Sequence, residues 1–144
     1  MNTLQKIDTW GQTHHPFWAD LLRVPFGIAI VVKGLFFIHN SSELVQMMQQ
    51  YHLSSSYMLA YFIAWAHIVG GLFISLGLIT RIAILVQLPI VFGAVFFVNA
   101  HRDMMAGNGE FLLSIIVLLL LIFYLIEGAG KLSLDALIEG KLDN

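Results

Sequence analysis

Four long apolar blocks, packed into a chain of only 144 residues, constrain this fold more than anything else in the sequence. They run about Leu21–Ile38, Tyr57–Thr80, Ile82–Val98 and Phe111–Ile126. An apolar helix needs roughly 20 residues to cross the hydrocarbon core of a bilayer. Together the blocks take up more than half the chain, so what remains cannot build a separate soluble domain. The expectation is all-α: an integral membrane four-helix bundle formed by residues 1–144 as one domain, with short amphipathic helices outside the spans.

Charge and composition narrow the function classes. Charged residues are 11% of the chain and hydrophobic residues 58%, where soluble domains carry roughly 25% charged residues. The net charge of −2 offers no basic surface for nucleic acid. With no cysteine, disulfides, thiol catalysis, thiolate-held Fe–S clusters and CxxC redox chemistry are excluded within this chain. A redox role would need a bound cofactor or a partner protein.

The first sixteen residues are polar or mixed, and Asp20, Arg23 and Lys33 fall in or beside the first block. That is unlike a cleaved secretory signal, so the block is expected to be retained. Four spans put both termini and the junction between the second and third helices on one side. That side holds Lys6, Arg23, Arg81, Lys131 and Lys141; Arg102 and Lys33 belong to the other. Basic residues favour the cytoplasm, which places both termini there. The second and third blocks meet at Thr80–Arg81 in a tight hairpin. The ends of the short third and fourth blocks leave Asn99, Glu110 and Tyr124 for the interface.

Outside the blocks, Asn40 and Glu43 have capping-box spacing. Leu44, Met47, Met48 and Tyr51 follow at helical spacing, which predicts an amphipathic helix over the outer end of the bundle. Leu4, Ile7 and Trp10 suggest an interfacial turn. Ser133 is placed to cap a turn carrying Leu134, Leu137 and Ile138, with Gly140 after its end. Residues 100–109 read as the flexible outer loop.

Charges within a bilayer are expensive and usually paired. Lys33 lies roughly 8 Å inside the outer end of its helix, level with Glu110 at the head of the fourth block. The two are candidates for an ion pair, the alternative being that Lys33 snorkels to headgroups. His67 lies ten residues beyond Tyr57, about 15 Å deep. It shares a stripe with Ala60, Ala64, Gly71 and Ser75, opposite Phe62, Trp65, Val69, Phe73 and Leu76. Small stripes let membrane helices approach closely, so His67 is expected to face the bundle. It serves there either as a structural hydrogen-bonding group, toward Gln87 or a carbonyl, or as a pocket ligand. Gly27 and Gly34 form a second close-packing stripe. Arg23 and Arg81 lie at the cytoplasmic ends of the first and third helices; headgroup contact is their default, and pairing with Asp20, Glu127 or Asp135 the alternative. Pro89 removes one helical hydrogen bond and is a candidate kink.

His39, His52 and His101 would lie near the outer surface, but no HxxxH or HxxE spacing occurs on one helix. No metal site is assigned, and no nucleophile–base pair or phosphate-cradling loop is found.

Ala66-His67-Ile68-Val69-Gly70-Gly71 followed by Leu76-Gly77-Leu78-Ile79-Thr80-Arg81 resembles the signature of the DoxX-like membrane proteins. Leu21-Leu22-Arg23 with Gly27 and Lys33-Gly34 resembles the family's first helix. Glu110 and Gly128-Ala129-Gly130-Lys131-Leu132-Ser133-Leu134-Asp135 resemble its ending, so the similarity spans about residues 17–137. It marks Arg23, Gly70, Gly71, Arg81 and Asp135 as structural or interface positions. The family often has Glu where this chain has His67, so a carboxylate role is not carried over. The resemblance implies a four-helix inner-membrane protein, linked in the family to thiosulfate:quinone oxidoreductases, oxidative-stress complexes and quinone resistance. Three functions follow. The first is a redox-associated subunit holding a quinone or other lipophilic molecule through His67, Lys33, Glu110 and Gln87. The second is a non-catalytic scaffold for a partner protein. The third is a small-solute transporter, for which inverted repeats and broken helices are lacking. Exposed apolar faces leave a homo-oligomer open.

Overall fold

The computed structural model describes residues 2, 3, 6, 10, 16–53, 56–99 and 109–142, without the side chains of 97–99, 110, 139, 141 and 142. Among the described residues the chain is helical and has no strand. Helix α1 spans Phe17–His39, α2 Ser41–Gln50, α3 Tyr57–Leu76, α4 Thr80–Gly93, α5 Glu110–Glu127 and α6 Leu134–Leu142. A π-helical turn, Ala94–Asn99, continues α4. Helices α1 and α3 are long and apolar enough to cross a membrane, and Thr80–Phe96 and Phe111–Glu127 form shorter apolar helices.

Helices α1 and α3 make the most extensive contact in the molecule. The cause is steric. A Cβ on Gly27 would lie 2.6 Å from the Gly71 carbonyl oxygen, and one on Gly34 would lie 2.8 Å from the Ala64 carbonyl oxygen. Both predicted small stripes therefore face each other, and backbone meets backbone. Their far sides are bare: Phe62 and Trp65 are 59% and 57% exposed. Helix α4 packs between α3 and α5. The core joins Phe26, Ile30, Ile74, Ile84, Val91, Leu121 and Tyr124.

Helix α2 covers one end as expected, burying Val45 and Met48 against Ala60 and its neighbours. The capping box does not form. Asn40 Nδ2 instead donates to the Phe36 carbonyl at 3.1 Å, tying off the end of α1, and no side chain caps α2. Leu4 and Ile7 lie outside the described residues, as does the loop at 100–108.

Helix boundaries shift where charge or glycine intervenes. The first helix starts at Phe17, ahead of the first apolar block, because Asp20 and Arg23 neutralise each other one turn apart. Helix α3 stops at Leu76 because Gly77 takes φ +70°. Leu78 N–H then bonds Phe73 O and Gly77 N–H bonds Ile74 O, closing a Schellman turn. The hairpin is thus Gly77–Ile79, just ahead of the expected Thr80–Arg81. Pro89 lies within α4, and the π turn begins five residues later. Ser133 caps α6 as expected, its Oγ accepting from Ala136 N–H at 3.1 Å. That helix continues through Gly140 rather than ending before it.

Candidate functional site

Among the described residues, two polar groupings interrupt the apolar interior. The first is at mid-depth. His67 is 6% exposed. Its Nδ1 lies 2.9 Å from the Ile63 carbonyl of its own helix, and its ring meets Phe37 edge-on with centroids 5.3 Å apart. It faces the bundle and packs at Gly34. Its hydrogen bond is intrahelical, not the interhelical one anticipated. Gln87 makes the interhelical bond: fully buried on α4, it donates through Nε2 to the Ala66 carbonyl of α3. Gly70 gives it room, since a Cβ there would collide with that amide. Gln87 Oε1 is buried with no hydrogen-bond partner among the described residues. Lys33 is exposed, and its Nζ sits over Phe36 and Phe37, 5.4 and 5.3 Å from their centroids. The cation rests on aromatic faces. The Lys33–Glu110 pairing lies outside the described residues, because the Glu110 side chain is not among them.

The second grouping is at the end that holds the α3–α4 hairpin and the C-terminal segment. Arg23 is 1% exposed, so headgroup contact, its default from sequence, does not apply. Its guanidinium donates to Asp20 Oδ1 at 3.2 Å and to the Leu132 carbonyl at 3.0 Å. The other Asp20 oxygen accepts from Leu132 N–H at 3.3 Å. One ion pair on α1 thus grips both sides of a residue more than a hundred positions away. Tyr124, expected at the interface, is fully buried and donates its hydroxyl to the Ala19 carbonyl at 2.7 Å. Its ring stacks on Phe26. The ring packs inward because the Ala19 carbonyl lies within reach of its hydroxyl.

The C-terminal segment also holds the hairpin. Asp135 Oδ1 accepts from Ile79 N–H at 3.1 Å, and Asp135 N–H donates to the Gly77 carbonyl at 3.1 Å. That matters because Ile79 is a β-branched residue at φ +46°, a conformation that needs outside support. Gly77 could not be another residue, as a Cβ would lie 2.5 Å from that of Ser133. The Arg81 guanidinium lies along the backbone at Gly128, where a Cβ would stand 3.4 Å from it. Between hairpin and tail opens a cleft of about 550 Å³, lined in part by Thr80, Arg81, Glu127, Lys131 and Asp135. An apolar groove of about 310 Å³ lies elsewhere, between Trp18 and α5. Neither borders His67, Lys33 or Gln87.

Of the residues singled out from sequence, Arg23, Arg81 and Asp135 come together at this end, and His67, Gln87 and Gly70 in the middle. The sequence offers Asp20 only as a partner for an arginine and marks neither Thr80 nor Tyr124 as a site residue. Among the described residues no three metal-ligating side chains cluster.

The fragments Leu21-Leu22-Arg23, Gly77–Arg81 and Gly128–Asp135, far apart in the chain, thus converge on one structural lock. A family model described as DoxX matches residues 18–100, more than half the chain. No curated protein and no solved structure gives a significant match. With its apolar, membrane-length helices and this match, the chain belongs to the DoxX family of membrane proteins.

Proposed function

We propose that this DoxX protein crosses the inner membrane four times with both termini in the cytoplasm. There it holds a quinone-class molecule as the membrane subunit of a redox assembly. The observation that carries the ligand is the uncommitted carbonyl of Gln87, fully buried at mid-depth. A buried acceptor without a donor forfeits roughly 1–3 kcal/mol. His67 lies on the adjacent helix. With its Nδ1–H directed to Ile63 O, its Nε2 is an acceptor as well. Two acceptors suit the hydroxyls of a quinol better than the carbonyls of a quinone. Oxidation of a quinol releases two electrons and two protons. Both electrons and both protons pass to the partner protein, since the chain has no cysteine and no cofactor motif to take the electrons.

Topology is tested with reporter fusions. One at Asn144 should read cytoplasmic and one within residues 100–109 should read outside; an external signal at Asn144 overturns the orientation. The ligand is tested by purifying the full chain in mild detergent and extracting it for mass spectrometry. Quinone or quinol should accompany the protein and fall severalfold in Gln87→Leu and His67→Ala, while His67→Gln, which keeps an acceptor, retains more. Equal content in all variants removes the assignment. The scaffold is then the better reading, and one observation already favours it: His67 is bonded within its own helix and packed on Phe37 and Gly34.

A further inference from the structure

The cleft beside the α3–α4 hairpin lies apart from the mid-depth groups and has a different chemistry. Thr80 is 1% exposed, and its hydroxyl has no hydrogen-bond partner among the described residues, yet Thr80 lines the cleft. It is the first residue of α4, whose cap, Ile79, makes no side-chain hydrogen bond to the helix. The first turn of a helix presents backbone N–H groups and the positive end of the dipole, which suits a phosphate. Arg81 follows on the same turn, and Lys131, from the C-terminal segment, lines the same cleft.

The cleft is not simply cationic. Glu127 and Asp135 also line it, so two basic side chains are balanced by two carboxylates. A plain anion would leave the carboxylates facing it. A head group that carries a phosphate and an ammonium meets both signs. Ile82, 61% exposed, stands at the rim of the same cleft, where an acyl chain would continue along the apolar face of the bundle. The volume, about 550 Å³, lies within the range of small-molecule sites.

From these features we infer that the cleft is a site for a zwitterionic phosphoethanolamine head group. The phosphate takes the Thr80–Arg81 end and Lys131, and the ammonium takes Glu127 and Asp135. The chemistry is shared by phosphatidylethanolamine and by free phosphoethanolamine; the bilayer-exposed rim favours the lipid. The site is independent of the quinone assignment.

The test uses the full chain reconstituted in phosphatidylcholine vesicles containing equal amounts of phosphatidylethanolamine and phosphatidylglycerol, then released into detergent for native mass spectrometry. Phosphatidylethanolamine should remain bound in preference to phosphatidylglycerol. Thr80→Val, which keeps the shape and removes only a hydroxyl without a partner among the described residues, should lower its retention about tenfold, the scale of one hydrogen bond to a charged group. Glu127→Gln removes one negative charge and should move the preference toward phosphatidylglycerol, a readout that loss of folding does not mimic. Free phosphoethanolamine should displace the lipid only at large excess; displacement at equal concentration would assign the site to the soluble compound and overturn the lipid assignment. Equal retention of both lipids, or full retention by Thr80→Val, overturns the site itself.

Discussion

Replacing Arg23 by methionine is expected to destabilise the protein by about 3–5 kcal/mol, the scale for removing one partner of a buried ion pair. The change leaves Asp20, 4% exposed, without its counter-charge. It also removes the donor to the Leu132 carbonyl and frees the segment that holds the hairpin through Asp135. The double variant Asp20→Asn/Arg23→Met should recover part of the loss, because it no longer buries a lone carboxylate. Thermal unfolding of Arg23→Met, Asp20→Asn and the double variant beside the parent chain in one detergent measures both effects. A double variant that loses as much as the sum of the singles would show that the two side chains act separately and would sink the lock.

Gly27→Val is expected to prevent close packing of α1 and α3. A Cβ at Gly27 would lie 2.5 Å from Ser75 N and 2.6 Å from Gly71 O. Both are backbone atoms and cannot swing aside, so the helices must separate along their most extensive contact. Overpacking a well-filled interior typically costs about 1–3 kcal/mol; a backbone-to-backbone clash should reach at least the top of that range. The control is Gly93→Ala, where a Cβ meets nothing within 4 Å and helix propensity favours alanine by roughly 1 kcal/mol. Folded yield by size-exclusion chromatography should drop sharply for the first and hold for the second. Equal yields would refute the contact.

The close-packing faces of α1 and α3 were legible in the sequence because they rest on spacing, while the meeting of those two faces is shown by the structure. Gly27 and Gly34 share a helix face, as do Ala64, His67 and Gly71, and small residues in register let two helices approach closely. The inward direction of His67 follows from the same register. Its hydrogen bond could not be foreseen, because the carbonyl four residues back competes with every acceptor across the bundle, and only the placed backbones decide between them. Arg23 and Tyr124 were misplaced for a related reason. Polar atoms near the end of an apolar block read as interfacial unless partners are in reach. Here those partners are the backbone of Leu132 and Ala19, which carry no signal in the amino-acid letters.

What the sequence determined by itself is therefore the helical class, the apolar segments, and the faces on which α1 and α3 meet, since hydropathy and residue size act along one helix at a time. What only the tertiary structure decided is the lock among Asp20, Arg23, Leu132 and Asp135, and the cleft beside it. Both depend on folding the C-terminal segment back against the hairpin, where buried charges are satisfied by main-chain groups from distant parts of the chain.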